Sequence, residues 1–344
     1  MTNGIRNTFN AGLVSAMMLA LPTSSSAGKL DAILKAFENN KGYVQPFATV
    51  FGTMTNSGWY QSSSVPGGFG FYIGIPVSLA TMSDEDRSFN WTAEDPGCKL
   101  YHSEISSPSQ SCKETTDYKA PTIFGREKGP ISYISVYSPS TKSIIDSIEV
   151  PLNDGKKEIS GFNWLPFLEP QVSFSFKYTE IKVRYLTVPL DAYSLSMPGV
   201  GIQHDLASVL PPLPFSLSVV GNYTMLSASW TPGDEISGTM ELNGESHFYG
   251  ALIGYTYKRW LEVFAEVGWE GAHLKASGDL VIHDPATVNP QPDETVKPRL
   301  DLEGRNGYRA ALNIAVHLCW DAVIGQNSGA QLGNQVSILA YRYK

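Results

Sequence analysis

Apolar and polar residues alternate along five segments of this chain, each roughly ten residues long. Residues 308–320 show the alternation best, and one side of this segment is mainly apolar, with Tyr308, Ala310, Leu312, Ile314, Val316, Leu318 and Trp320. The other side is polar or small, with Arg309, Ala311, Asn313, Ala315, His317 and Cys319. Successive side chains of a strand point to opposite faces, so the pattern predicts a strand with one apolar and one mostly polar face. A tilted strand of about 9–11 residues can also cross a bilayer.

The same alternation predicts further strands over 69–79, 172–176, 181–185, 215–225, 248–257, 261–269 and 336–344. Pro76 cannot donate to a ladder and predicts a kink or bulge in the first of these strands. The phase slips by one residue near Tyr178 and Thr179, which predicts a hairpin or bulge there. Residues 82–130 are polar and predict a long external loop. Tyr341 and Tyr343 near the end are typical of the closing strand of an exported barrel, although an ordinary soluble sheet can also end this way.

The first residues resemble an export signal. Arg6 precedes an apolar run over 11–22, which has the length of a signal-peptide core and is too short to span a membrane. Ser25 and Ala27 are small residues at the positions that precede a cleavage site, so we predict cleavage after Ala27. The alternatives are a buried N-terminal helix or an uncleaved anchor.

Two short amphipathic helices are predicted after the signal. Leu30 to Phe37 follow helical spacing, Gly42 breaks it, and Pro46 is well placed to start a second helix. The second helix carries one apolar face, which consists of Phe47, Val50, Phe51 and Met54. We expect these helices to form a plug inside a barrel and this face to contact a hydrophobic ligand. A surface appendage, or an N-terminal strand with misleading spacing, is the alternative.

The predicted domains are therefore a signal peptide (1–27), an N-terminal helical segment (28–66) and an outer-membrane β-barrel (67–344). Charged residues on the polar strand faces are expected to line a lumen, and they are Lys182, Arg184, Glu262, Glu266, Glu270 and Arg309. Glutamates four residues apart on a strand lie about 13 Å apart, which favours lumen lining over acid–base catalysis.

Composition excludes several functions. The net charge of −8 argues against a nucleic-acid partner. The sequence has no phosphate-binding glycine loop, no zinc-type His-Glu pair on a helix and no nucleophile elbow, so we expect no enzyme activity, no cofactor and no metal. Cys98 and Cys112 can close a disulfide in an oxidising compartment, or they can remain two thiols without metal-ligand spacing. Cys319 is expected to pack within its strand.

Several stretches resemble an uncharacterised bacterial family of barrel-like outer-membrane proteins, carried as a domain of unknown function. The stretches are FATVFGTMTNSGWY (47–60), FGFYIGI (69–75), PTIFG (121–125), EIKVRYL (180–186), GVGIQHD (199–205) and PFSLSVVGNY (214–223). The order of N-terminal helices before a barrel is also similar to long-chain fatty acid transporters. The resemblance implies an architecture and a location in the bacterial outer membrane, without implying a reaction.

The expected fold is therefore an all-β, antiparallel transmembrane barrel of about 10–14 strands, with short N-terminal helices as a plug. Its expected partners are membrane lipid, the barrel-assembly machinery and a small hydrophobic ligand, and its expected role is passive transport. A structural or adhesive barrel without transport would show the same alternation. A secreted soluble β-sandwich, acting as a binding module or a glycan-active enzyme, would pack its apolar faces against each other instead of lipid.

Overall fold

The computed structural model describes residues 41–81, 84–106, 108–152, 154–155, 164–190, 193–230, 236–257, 261–282, 294–297, 299–304, 306–316 and 340–341. The predicted signal peptide, the first predicted helix and Cys319 lie outside these residues. Most of the described chain is antiparallel β-structure, but none of its sheets closes into a barrel. No helix in this part of the chain is long and apolar enough to cross a membrane.

The helices are α1 (Lys41–Thr55) and α2 (Pro96–Glu104), with short 3-10 helices at Asp84–Arg87 and Leu206–Ser208. The strands of the first half are β1 (Gly70–Gly74), β2 (Val77–Thr81), β3 (Ser88–Glu94), β4 (Thr115–Pro121), β5 (Ile131–Ser138), β6 (Ser143–Pro151), β7 (Trp164–Leu168) and β8 (Gln171–Phe176). The remaining strands are β9 (Thr179–Leu190), β10 (Tyr193–Asp205), β11 (Ser216–Trp230), β12 (Ile236–Tyr257), β13 (Leu261–Ile282), β14 (Glu294–Val296), β15 (Arg299–Glu303), β16 (Gly307–Val316) and β17 (Ala340–Tyr341).

The chain divides into two compact units, which are Met1–Pro46 with Met82–Asn163, and Phe47–Thr81 with Trp164–Lys344. The first unit contains two antiparallel strand pairs, β3–β4 and β5–β6, and α2 lies between β3 and β4 in sequence. Asp95 caps α2: its carboxylate accepts hydrogen bonds from the Cys98 amide and from both the amide and the hydroxyl of Ser135. This carboxylate therefore ties the helix to β5 as well as starting it.

The prediction of a long loop over 82–130 is wrong, because β3, α2 and β4 lie within this range. Polar side chains dominate these elements, so the apolar periodicity on which the prediction relied is weak there. Tyr43, from the start of α1, belongs to the same unit and donates a hydrogen bond to the carbonyl of Asp154. Burial, with a smaller contribution from Asp154, raises the pKa of Tyr43 to about 12.

An eleven-stranded antiparallel sheet dominates the second unit. Its strand order is β1-β8-β9-β10-β11-β12-β13-β16-β17, and β14 and β15 also pair with β13. Neighbours from β8 to β13 are consecutive in sequence, which is an up-and-down connectivity. Lys177 and Tyr178 both have positive φ between β8 and β9, so the hairpin predicted at this point is confirmed.

Two predicted boundaries change. The single strand predicted over 69–79 is two strands, β1 and β2, which belong to different sheets and are separated at Pro76. The helix predicted to begin at Pro46 begins at Lys41, with Pro46 inside it. A proline costs a helix one hydrogen bond, and burial of Tyr43 and Val44 in the turn before it offsets that loss in α1.

The two faces of the large sheet differ in an unusual way. The face that we call the inner face packs against the chain that follows α1, and it buries charged and polar side chains such as Lys182, Arg184 and Glu266. The opposite, outer face exposes apolar side chains, including Phe174, Ile181, Val183, Val200, Ile202, Val219, Tyr249, Ile253, Leu312 and Ile314. A sheet of a water-soluble protein is expected to show the reverse arrangement.

This polarity inverts along β13. Residues 261–270 bury Glu262, Glu266 and Glu270, and expose Val263 and Val267 on the outer face. Residues 273–282 bury apolar side chains, namely Leu274, Ala276 and Leu280, and the outer face there carries His273, Lys275, Ser277 and Asp279. The neighbouring strand β12 changes at the same level, with exposed Glu241, Asn243 and Glu245 giving way to Tyr249, Ile253, Tyr255 and Tyr257.

Candidate functional site

The inner face of the large sheet surrounds a short stretch of chain, residues 55–65, which we call the inner segment. It leaves the C-terminal end of α1, and side chains of the strands bind its main chain directly. Gln203 donates to the carbonyl of Ser62 at 2.9 Å, and Ser218 donates to the carbonyl of Ser63 at 2.6 Å. Asp205 accepts from the amide of Val65 at 3.0 Å. The strands therefore satisfy backbone groups that would otherwise be buried without partners.

Arg184 on β9 holds one side of the inner segment. Its Nη1 donates to the carbonyl of Ser57 at 2.8 Å, and its Nε donates to Oε1 of Gln171 at 2.7 Å. The guanidinium carbon lies 4.2 Å from the ring centre of Trp59, which is a cation–π distance. The carboxylate of Glu169 forms an ion pair with Arg184, with Oε2 of Glu169 3.4 Å from Nη1 of Arg184. Arg184 is 1% exposed, so its charge depends on these neighbours and not on water.

Arg309 on β16 holds the other side. Its Nη1 donates to the carbonyl of Asn56 at 2.8 Å and lies 3.4 Å from Glu270. Its Nη2 lies 3.2 Å from Glu266 and donates to the hydroxyl of Ser57 at 3.4 Å. One buried cation thus compensates two buried carboxylates of β13 while also binding the inner segment. Removal of the arginine would leave both carboxylates buried without a counter-ion.

Lys182 and Glu262 complete the contacts of charged side chains with the inner segment. Nζ of Lys182 lies 2.6 Å from Glu180 and donates to Gln61 at 3.3 Å. Glu262 accepts from both the amide and the hydroxyl of Ser63, at 2.7 and 2.5 Å. All six side chains predicted to line a lumen are therefore buried on the inner face, and each belongs to a hydrogen-bonded or ion-paired cluster.

Trp59 is the largest fully buried side chain of the inner segment. A Cβ atom at Gly199 or Gly201 of β10 would lie only 3.0 or 2.8 Å from its indole ring, so the two glycines leave the space that the ring fills. Its Nε1 donates to the carbonyl of Thr55 at 2.7 Å. Sequence reasoning missed Trp59, and the signal that identifies it is the GVG stretch, because small side chains on a strand face leave room for a large one.

Burial shifts the pKa values of several groups near the inner segment, and Glu169 and Tyr60 are two of them. Glu169 lies in the turn between β7 and β8, and burial raises its pKa to about 7 even though Arg184 opposes the shift. Burial also raises the pKa of Tyr60 in the inner segment, against a hydrogen bond from Asn222 that lowers it. The tyrosine hydroxyl therefore stays neutral and acts as a hydrogen-bonding group, which is a structural role.

The side chains predicted to contact a hydrophobic ligand lie on α1 and are buried. Phe47, Val50, Phe51 and Met54 are at most 5% exposed. The helix approaches β13 closely, since a Cβ at Gly52 would lie 2.5 Å from that of Ala272. These residues are part of the packing that anchors α1, and their contact with a hydrophobic ligand stays a prediction.

The two cysteines of the first unit form a disulfide, Cys98–Cys112. Nε2 of His102 lies 3.7 Å from the sulfur of Cys112, and Nδ1 of the same ring lies 3.0 Å from Glu114. The sequence pattern did not place His102 or Glu114 near this bond, because α2, which aligns Cys98 and His102, was not predicted.

In the second unit, the inner face of the large sheet thus binds residues 55–65 through buried charged side chains, and the outer face is apolar at the same level. The chain belongs to the family described as Family of unknown function (DUF6588), whose profile matches residues 6–326. No curated protein and no solved structure matches it, so the resemblance to fatty acid transporters is unsupported.

Proposed function

We propose that the protein is an outer-membrane β-barrel whose lumen is plugged by α1 and the inner segment, and that it passes a small hydrophobic ligand passively. The observation that carries the membrane location is the polarity inversion along β13. Exposed Val263 and Val267 with buried glutamates suit a strand in lipid around a polar lumen, whereas exposed Lys275 and Asp279 with buried leucines suit a strand in water. The inversion marks the level at which the strand leaves the membrane.

The height of the apolar outer band supports this location. On β12 it runs from Tyr249 to Tyr257, a rise of about 27 Å along the strand. A tilt of about 40° reduces this to about 20 Å, near the roughly 25 Å apolar band of outer-membrane barrels. Tyr249, Trp269 and Tyr308 are paired in register across three strands at one edge of the band, as expected of an interfacial aromatic girdle.

The curvature of the sheet supports closure. The inner segment hydrogen-bonds to side chains of β8, β9, β10, β11, β13 and β16, so these strands curl around one short piece of chain. In lipid, unpaired strand edges are costly, and this favours a complete ring. Export by the predicted signal and insertion by the barrel-assembly machinery belong to the same proposal.

We call the part of the inner face that carries Lys182, Arg184, Glu262, Glu266, Glu270 and Arg309 the charged zone. The ligand class follows from the part of the inner face that lies beyond it. There the buried side chains are apolar, namely Leu195, Met197, Leu226, Leu242, Leu274 and Leu302. A hydrophobic molecule that enters from this end would meet apolar side chains first and the inner segment next. Passage then requires displacement of the inner segment, because it fills the charged zone.

A structural barrel without transport is the second candidate. The observation that favours it is the density of contacts around Arg184 and Arg309, which bind the inner segment from two sides. If the plug never moves, the protein binds no transported ligand, and the inner segment serves only to stabilise the barrel.

Membrane integration is tested by extraction and by gel migration. We expect the protein to resist carbonate and urea, to require detergent, and to migrate differently on a detergent gel before and after boiling. Release without detergent, with no heat-dependent shift, would support the soluble β-sandwich alternative instead.

Transport is tested by locking the plug. The hydroxyls of Ser63 and Ser216 are in contact, so the double variant Ser63→Cys/Ser216→Cys can join the inner segment to β11. In liposomes, we expect a labelled fatty acid to enter with wild type and with the reduced variant, and entry to stop when the variant is oxidised. Wild type under both redox conditions controls for the native Cys98–Cys112 bond. Equal entry in the oxidised and reduced variant would contradict plug displacement, and no entry with wild type would favour the structural candidate.

A further inference from the structure

The first unit contains a second cluster of chemical groups that the proposed transport does not use. The sulfurs of Cys98 and Cys112 and a ring nitrogen of His102 all lie within 4.8 Å of one another. Cys98 is fully buried, and Cys112 and His102 are partly exposed. Two sulfurs and one imidazole are the donor set that binds zinc and other borderline metal ions.

The local fold explains this convergence. Cys98 and His102 are four residues apart on α2, so they share one face of the helix, one turn apart. Cys112 lies on the irregular chain between α2 and β4, which brings it back over that face. The spacing alone gives no metal motif, because the pairing of a helical Cys and His with a distant Cys appears only once α2 is in place.

Glu114 sets the orientation of the imidazole. Its Oε1 lies 3.0 Å from Nδ1 of His102, and the other ring nitrogen, Nε2, lies on the side of Cys112. With the Nδ1 proton donated to the carboxylate, the lone pair of Nε2 points toward the sulfurs. A carboxylate behind a histidine ligand is the usual outer partner in metal sites, where it fixes the tautomer and raises the basicity of the ligand.

We propose that this cluster is a redox-dependent metal site, which binds one Zn²⁺-like ion through Cys98, Cys112 and His102 when the disulfide is reduced. A dithiol reductant transfers two electrons and two protons to the disulfide, giving two thiols and an oxidised dithiol. The metal ion then displaces the two thiol protons, and both thiolates and Nε2 of His102 become ligands. Three protein ligands leave the fourth tetrahedral position open to water or to a further donor.

The disulfide and the metal are alternative occupants of the same atoms. Bonded sulfurs have no thiolate to offer, so the oxidised protein binds no ion at this site. On reduction the sulfurs must move apart to reach tetrahedral positions, and Cys112 can make this shift because it lies outside any helix or strand. The site therefore converts the redox state of the surroundings into metal occupancy, independently of whether the large sheet transports a ligand.

The test measures binding of Co²⁺ and Zn²⁺ to the detergent-solubilised full chain carrying Cys319→Ser, which removes the third thiol. We expect one ion per chain after treatment with a dithiol and desalting, with a cobalt–thiolate charge-transfer band, and no ion in the oxidised sample. We expect Glu114→Gln to weaken binding about 10–100-fold, as loss of an outer partner does elsewhere. His102→Ala should weaken it at least as much and change the cobalt spectrum, whereas the matched variant His204→Ala on β10 should change neither.

A second measurement keeps the result independent of folding defects. Bound Zn²⁺ should slow alkylation of the two cysteines in the reduced protein, and a chelator should restore the rate. Absence of metal binding by the reduced chain, or equal affinity in His102→Ala and the parent, would overturn the proposal.

Discussion

Arg184 and Arg309 bind the same residue although they lie on strands that are five steps apart in the sheet. Arg184 donates to the carbonyl of Ser57, and Arg309 donates to its hydroxyl. In a flat sheet the two strands would be about 24 Å apart. Two arginine side chains cannot span that distance to a common residue, so the sheet between β9 and β16 must curl around the inner segment. This curvature is what the proposed barrel requires.

Loss of Arg309 should therefore destabilise the second unit strongly. Arg309→Met leaves Glu266 and Glu270 buried without their cation, and breaking a buried ion pair in this way costs about 3–5 kcal/mol. We expect thermal unfolding in detergent at a markedly lower temperature. The control is Arg299→Met, an exposed arginine on β15, which should stay within about 0.5 kcal/mol of wild type. Equal stability of the two variants would show that Arg309 does not carry the charge balance that its contacts indicate.

The space beside Trp59 gives a sharper test with a smaller change. In Gly201→Ala the new Cβ would lie 2.8 Å from the indole ring, so the ring or the strand must shift. Gly221→Ala on the adjacent β11 is the matched control, because its Cβ would only meet a carbonyl oxygen at 3.6 Å. We expect Gly201→Ala to lower the free energy of unfolding by about 1–3 kcal/mol through overpacking and to change the fluorescence emission of Trp59. Gly221→Ala should do neither. The same spectrum and stability in both variants would contradict the close packing of Trp59.

The sequence was enough to predict much of the large sheet. Alternation alone identifies the stretches that become β8, β9, β11, β12, β13 and β16, since period-two patterning follows directly from strand geometry, whereas β10 was not predicted. It also places Glu262, Glu266, Glu270 and Arg309 on the face opposite the apolar row, and the structure pairs the last three. These are the residues for which local pattern and tertiary environment agree.

Other features could not be predicted because they depend on contacts distant in sequence. The inner segment has no periodicity, and its position follows from hydrogen bonds to side chains and one main-chain carbonyl of strands that lie far along the chain. Pro46 suggested a helix start, yet α1 begins at Lys41, and Tyr43 and Val44 in the turn before the proline are buried. Glu169 sits in a turn, where nothing in the pattern indicates its burial or its partner Arg184.

Glu169 should make stability depend on pH. Its pKa rises from 4.5 to about 7 on folding, so the folded protein holds this proton more tightly than the unfolded chain does. The stabilising contribution is fully present below pH 4.5 and is lost as the pH rises through 7, a change of about 3 kcal/mol. We expect Glu169→Gln to lose this part of the pH dependence of unfolding between pH 4.5 and 8. Glu149→Gln, an exposed carboxylate on β6, serves as the control and should follow wild type. If Glu169→Gln also follows wild type, the proton on Glu169 is not coupled to folding.

The proposed membrane boundary on β12 can be tested with one substitution on each side of it. Ile253 lies midway along the apolar outer band and is 45% exposed, and Asn243 is exposed on the same face beyond the band. In lipid, Ile253→Arg should reduce the free energy of unfolding by about 2–4 kcal/mol, which is the cost of an arginine near the bilayer midplane, while Asn243→Arg should change it by no more than about 1 kcal/mol. Both positions are exposed, so the same pair should show almost no difference if the outer face meets water. Folding yields into lipid vesicles, measured by heat-dependent gel migration, therefore separate an apolar surface made for hydrocarbon from one that is merely uncovered.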